Sequence, residues 1–164
     1  MGKLIVVSND RVEGKDKHNV AGNATNPSPP PPTVPYGGVG EFDYVGKMTD
    51  QLSDFVSIDG APVALKDSKS SLNPGEDAPP AGKHSGPMGS NSQLPAPAPI
   101  LNTLSITDPI GEGVPSATAG SSFVQVNGVA VLLDGDKIDT CDGLGIPMNS
   151  AATAENQDFV SCSA

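Results

Sequence analysis

Sliding the sequence over itself by 68 positions lays Phe55-Val-Ser-Ile-Asp-Gly-Ala-Pro-Val-Ala-Leu65 on Phe123-Val-Gln-Val-Asn-Gly-Val-Ala-Val-Leu-Leu133. The same offset puts Lys69 on Lys137, Asn23 on Asn91, and Pro27, Pro29 and Pro31 on Pro95, Pro97 and Pro99. A third echo, Asp158-Phe-Val-Ser161, copies Asp54-Phe-Val-Ser57. Self-similarity of this kind holds a chain to a fold in which like units sit side by side. It divides one domain, 1–164, into copies of about 23–70 and 91–138 and a partial third copy at 158–162.

Each full copy carries Asp59-Gly60 or Asn127-Gly128 between two alternating apolar segments. A two-residue hairpin turn needs positive φ at both central positions, which Asn, Asp and Gly tolerate best, so each copy reads as a β-hairpin. Val56 and Ile58 lead into the first and Val63 and Leu65 lead out; Val124, Val126, Val129 and Val131 do the same in the second. One face of each hairpin is therefore apolar. The Pro-rich stretches Asn26 to Gly38, Asn73 to Gly82 and Leu94 to Pro99 read as ordered, solvent-facing loops, with stiff polyproline linkers, or ligands for a domain that reads such helices, as the alternative. No segment sustains a helical period. The best helical candidate, Phe42 to Phe55, offers one or two turns through Tyr44, Val45, Met48, Leu52 and Phe55.

The chain is poor in material for a conventional core: 19 Gly and 17 Pro stand among its 164 residues, aromatics are 4% and Trp is absent. Folding then leans on backbone ladders, rigid loops, a metal or a partner. A net charge of −10 repels a phosphate backbone and sets nucleic-acid binding aside. The longest apolar runs, Leu4 to Val7 and Val129 to Leu133, are far short of a membrane span, and no secretion signal opens the sequence, so a cytoplasmic chain without stable membrane anchoring is expected. Cys141 and Cys162 are read as thiols or metal ligands, since two cysteines make no disulfide framework.

The phrase that runs from Phe123 through the turn residues Asn127-Gly128 to Asp134-Gly-Asp-Lys-Ile-Asp-Thr-Cys141 resembles the repeated phrase of the PAAR family, where strand, turn, strand and a Gly-Asp pair lead to a cysteine. The first copy, with Thr33-Val-Pro-Tyr36 ahead of it, looks like the divergent PAAR-like branch, and the resemblance covers roughly 20–162. It implies an all-β fold: a small cone with pseudo-threefold internal repeats and long Pro/Gly-rich loops. It also implies a structural role as the tip that caps and sharpens the trimeric spike (VgrG-like) of a contractile injection system, phage-tail-like or type VI, for envelope piercing. One copy sits on each trimer. Such a protein stays cytoplasmic until assembled and is then delivered to or through the target envelope. The spike-docking base is expected at Phe55, Val56, Phe123, Val124, Phe159 and Val160. Family tips also carry effector cargo, and no fused toxic domain is expected after the third Phe-Val start.

PAAR tips hold a zinc ion with three histidines and one cysteine, whereas this sequence has only His18 and His84. The resemblance therefore implies His18, His84 and Cys141 as zinc ligands, with Cys162 a candidate fourth donor giving two nitrogens and two thiolates. A metal-free tip held by its loops is the other outcome. No enzymatic role is expected. Gly40 to Met48 fails as a phosphate loop because the first glycine is misplaced and Met48 replaces the magnesium-binding hydroxyl. Asp134 to Asp139 fails as a calcium loop because Ile138 stands at a ligand position, and it reads as an acidic turn. No nucleophile elbow is present. The alternative function is a secreted Pro/Gly-rich β-domain that binds carbohydrate or protein; its weakness is that Tyr36 and Tyr44 are the only tyrosines available as sugar platforms.

Overall fold

The computed structural model describes residues 2–25, 33–72, 83–85, 100–107, 112–140 and 149–163, and among these every regular element is a strand. In chain order they are β1 (Lys3–Leu4), β2 (Arg11–Thr25), β3 (Thr33–Asp50), β4 (Ser57–Ile58), β5 (Ala61–Pro62), β6 (Lys69–Leu72) and β7 (Lys83–Ser85). There follow β8 (Ile100–Ile106), β9 (Val114–Pro115), β10 (Gln125–Val126), β11 (Val129–Ala130), β12 (Lys137–Asp139), β13 (Ser150–Thr153) and β14 (Ser161–Cys162). The all-β expectation holds. The Pro-rich segments lie largely outside the described residues, but Thr33 to Gly38, read above as part of a loop, runs in β3 opposite β2.

The main sheet is antiparallel in the order β6-β3-β2-β13-β12-β9. Its two ends meet. Ser70 and Gly113 exchange backbone hydrogen bonds of 2.9 and 3.1 Å, and Lys69 Nζ donates to Glu112 Oε2 at 2.6 Å beside them. The hydrogen bond and negative charge of Glu112 hold the Lys69 ammonium above its ordinary pKa. The sheet is thus nearly closed at this end, where β6 and β9 cover one another's edges. Beyond the closed part β7 pairs with β3 and β8 with β2, making a ribbon ordered β7-β3-β2-β8.

A second layer consists of three short antiparallel pairs, β4–β5, β10–β11 and β1–β14. The first two close through the turns expected, with φ of 49° and 81° at Asp59 and Gly60 and 51° and 82° at Asn127 and Gly128. The third brings together the start and end of the sequence, Lys3 opposite Cys162 and Leu4 opposite Ser161.

Where the layers join, three extended segments bond to one another in a cycle. Val6 N donates to Leu132 O, Leu132 N to Ala64 O, and Ala64 N to Val6 O, each at 2.9 Å. The flanking bridges follow the same cycle: Ile5 with Leu133, Leu65 with Val131, and Val7 with Val63. Because successive side chains of an extended segment point to opposite faces, this ring separates two apolar clusters. Ile5, Val7, Val63, Val131 and Leu133 gather with Ile58 under the short hairpins. Val6, Ala64 and Leu132 point the other way, into the sheet interior with Val12, Tyr44, Met48, Ile138 and Ala152. Burial is worth about 1.5–3 kcal/mol for each large member, so two small clusters stand in for one large core.

The helical reading of Phe42 to Phe55 is corrected here, because β3 continues to Asp50. Phe42, Tyr44 and Met48 are buried while Asp43, Val45 and Thr49 are exposed. Tyr44 and Met48, four apart, satisfy a strand face as well as a helical one, and Val45 at 41% exposure decides for the strand. The strand stops before Gln51, whose φ is 54°.

Candidate docking surface

Phe55, Phe123 and Phe159 each stand in a turn that leads into one of the short hairpins, and the three turns are built alike. Ser53 Oγ accepts from the N–H groups of Phe55 and Val56 at 3.3 and 2.9 Å. Ser121 Oγ accepts from those of Phe123 and Val124, both at 3.1 Å. Gln157 Oε1 accepts from those of Phe159 and Val160 at 3.2 and 2.8 Å. Each turn is then tied to the ring: Val63 N donates to Val56 O, Val131 N to Val124 O and Ile5 N to Val160 O, at 3.0, 3.1 and 3.1 Å. In the third turn the longer Gln157 side chain also donates through Nε2 to Ile5 O at 2.7 Å, while in the others a backbone N–H, of Ser53 or Ser121, donates to Val63 O or Val131 O.

The rings themselves are left in solvent, with relative exposures of 79% for Phe55, 75% for Phe123 and 64% for Phe159. Each is a large apolar side chain held out on a turn whose backbone is fixed by hydrogen bonds. The valines beside them differ. Val56 is 40% exposed, whereas Val124 and Val160 pack in part against the cluster under the hairpins. Of the six expected docking residues, the phenylalanines and Val56 are thus the exposed ones.

The extended segment that completes the third turn escaped the sequence reading. It is Ile5-Val6-Val7, at the opposite end of the sequence from Phe159. The signal was present in the pattern that follows it: Val7 N, Leu65 N and Leu133 N are capped by Asp10 Oδ2 at 2.7 Å, Ser68 Oγ at 2.8 Å and Asp136 Oδ2 at 2.8 Å, always three residues on. An apolar triplet followed after three residues by an oxygen-bearing cap was there to be found. The acidic turn Asp134 to Asp139 is explained by the same caps, for Asp136 also accepts from Gly120 N at 2.7 Å and Asp134 Oδ1 from Ala154 N at 3.0 Å.

The candidate metal ligands are distributed as follows. His18 is 1% exposed on β2, with Nε2 3.8 Å from Asp16 Oδ2 and its ring tilted against that of Phe42. Asp16 Oδ1 accepts from the Thr140 hydroxyl and from Asn149 Nδ2. His84 lies on β7 opposite Gly40, and Gly40 on β3 is opposite His18, so the two histidines share one register level on either side of a residue without a side chain. Cys141 lies outside the described residues. Cys162, on β14, packs in part against the cluster under the hairpins. Among the described residues no three His, Cys, Asp or Glu side chains converge as a metal site. Tyr44 is fully buried, with its hydroxyl 2.7 Å from Ser70 Oγ, and so offers no platform to a sugar.

Comparison with models of protein families, with curated proteins and with solved structures finds no match in any of the three.

Proposed function

We propose that this chain is a PAAR-like tip protein: a small cone with pseudo-threefold internal symmetry that sits, one copy per trimer, on the blunt end of a trimeric spike in a contractile injection system. The observation that carries this reading is the set of three exposed phenylalanines on three turns of the same construction. A trimer presents three equal surfaces around its axis, and a single chain matches them only by carrying three like anchors of its own. The cyclic hydrogen bonds through Val6, Ala64 and Leu132 give the chain an axis on which such anchors can be arranged. Each ring gains about 1.5–3 kcal/mol when covered, and capped turns spend little conformational entropy on docking. The work is mechanical. A contracting sheath drives the spike and the tip concentrates its force on a small patch of envelope, so no catalytic residue is called for. The chain would remain cytoplasmic until assembled, with effector cargo a further passenger of the assembled particle. Mixing it with the purified trimeric spike of the same source tests the reading: the two are expected to co-elute.

A zinc ion held by His18, His84 and Cys141 belongs to the same proposal. The donors fit it in part: by strand spacing, two backbones separated by one intervening strand stand about 10 Å apart, and Gly40 puts no side chain between them. Bound zinc would supply folding free energy that the small apolar clusters do not. Elemental analysis is expected to find close to one zinc per chain, and a chelator to lower the melting temperature. A value near zero with unchanged melting removes the metal from the proposal.

A further inference from the structure

The three turns are alike in backbone and unlike in charge. Asp54 precedes Phe55 and Asp158 precedes Phe159, but Ser122 precedes Phe123, and all three of these neighbours are exposed. Several exposed carboxylates elsewhere have basic partners: Glu13 and Glu155 lie against Arg11, Asp43 against Lys15 and Glu112 against Lys69. Asp54 and Asp158 make no hydrogen bond or ion pair among the described residues. Across the docking layer, residues 51–65, 119–133, 155–163 and 2–7, the other charged groups are Asp59 at a hairpin tip, Glu155, and a single base, Lys3.

We propose that the surface received by these turns is basic: a threefold-symmetric protein that presents, beside each of three apolar pockets, a lysine or arginine side chain. This rests on the docking reading above and specifies the chemistry of the partner. A symmetric partner must show the same group to all three turns. A base meets Asp54, Asp158 and the neutral Ser122 without repulsion, whereas an acid meets like charge at two of the three positions, and an uncharged rim leaves two carboxylates to be desolvated without compensation. Charge complementarity of this kind also speeds encounter and is weakened by salt.

The test is the affinity of the purified trimeric spike for the native chain, for the double variant D54N/D158N and for F123A, at about 50 and about 500 mM salt. The native chain is expected to bind at least tenfold more weakly at the higher salt, and D54N/D158N about tenfold more weakly than native at the lower salt with most of its salt dependence gone. Both variants should melt as the native chain does. If D54N/D158N binds as tightly as native at low salt while F123A has lost binding, the docking reading stands and the basic partner is overturned. If neither variant alters binding, or if the chain sediments with anionic vesicles and ignores the spike, both are overturned.

Discussion

Replacing Asp10 with Ala is expected to lower stability by about 3 kcal/mol or more, and the melting temperature by roughly 6–12 °C. Asp10 is fully buried, and its carboxylate accepts from four donors: Val7 N at 2.7 Å, Glu155 N at 2.9 Å, and Asn156 N and Nδ2, both at 2.8 Å. Those contacts tie the first segment of the sequence to the last, as Ser68 is tied to Gln51 and Asp136 to Gly120 in the other two units. Alanine would orphan all four donors at once, and a buried donor left unsatisfied costs about 1–3 kcal/mol. Ser68 and Asp136 hold the corresponding positions with fewer bonds, since Asp136 accepts from Leu133 N and Gly120 N, and Ser68 accepts from Leu65 N and donates to Gln51 O. Their alanine variants should therefore lose less. Thermal melting of the three variants side by side checks the order, and an Asp10→Ala chain that melts within about 2 °C of native contradicts the account of the cap.

Phe123→Asp should abolish spike binding and leave the fold intact. The ring is 75% exposed, so its loss costs the isolated chain within about 0.5 kcal/mol, a change of one or two degrees in melting. On a partner the same change removes an apolar anchor and sets a carboxylate in its pocket, a penalty of several kcal/mol that corresponds to at least about a hundredfold in affinity. Separating the two readouts matters, because a variant that lost binding by unfolding would say nothing about the docking face. A Phe123→Asp chain that melts normally and still co-purifies with the spike would place the contact elsewhere.

The two covalent hairpins were legible because their turns depend on one or two residues whose backbone freedom is unmistakable; Asp59-Gly60 and Asn127-Gly128 adopt the positive φ values their identities demand. The third was not, because β1 and β14 are joined only through space and no turn marks them. The caps were legible only as a spacing, three residues beyond each apolar triplet, and not as a residue type. Ser53, Ser121 and Gln157 do one job, as do Asp10, Ser68 and Asp136, and what each set shares is an acceptor oxygen at a fixed reach, which residue identity does not reveal. The long pairing of β2 with β3 runs through Gly37, Gly38, Gly40 and Pro35, residues that argue against strands in isolation and are overruled here by fifteen consecutive register pairs. Exposure of the phenylalanines was not legible from composition, by which three large rings in a core-poor chain would be placed inside.

The central claim, one chain on one trimer through three like anchors, is tested most directly by size-exclusion chromatography with mass detection on the chain mixed with the purified trimeric spike. The account predicts a single complex heavier than the trimer by one chain, 16.5 kDa, at every excess of chain over spike. A trimer that elutes at its own mass, or one that takes up three chains, would contradict it.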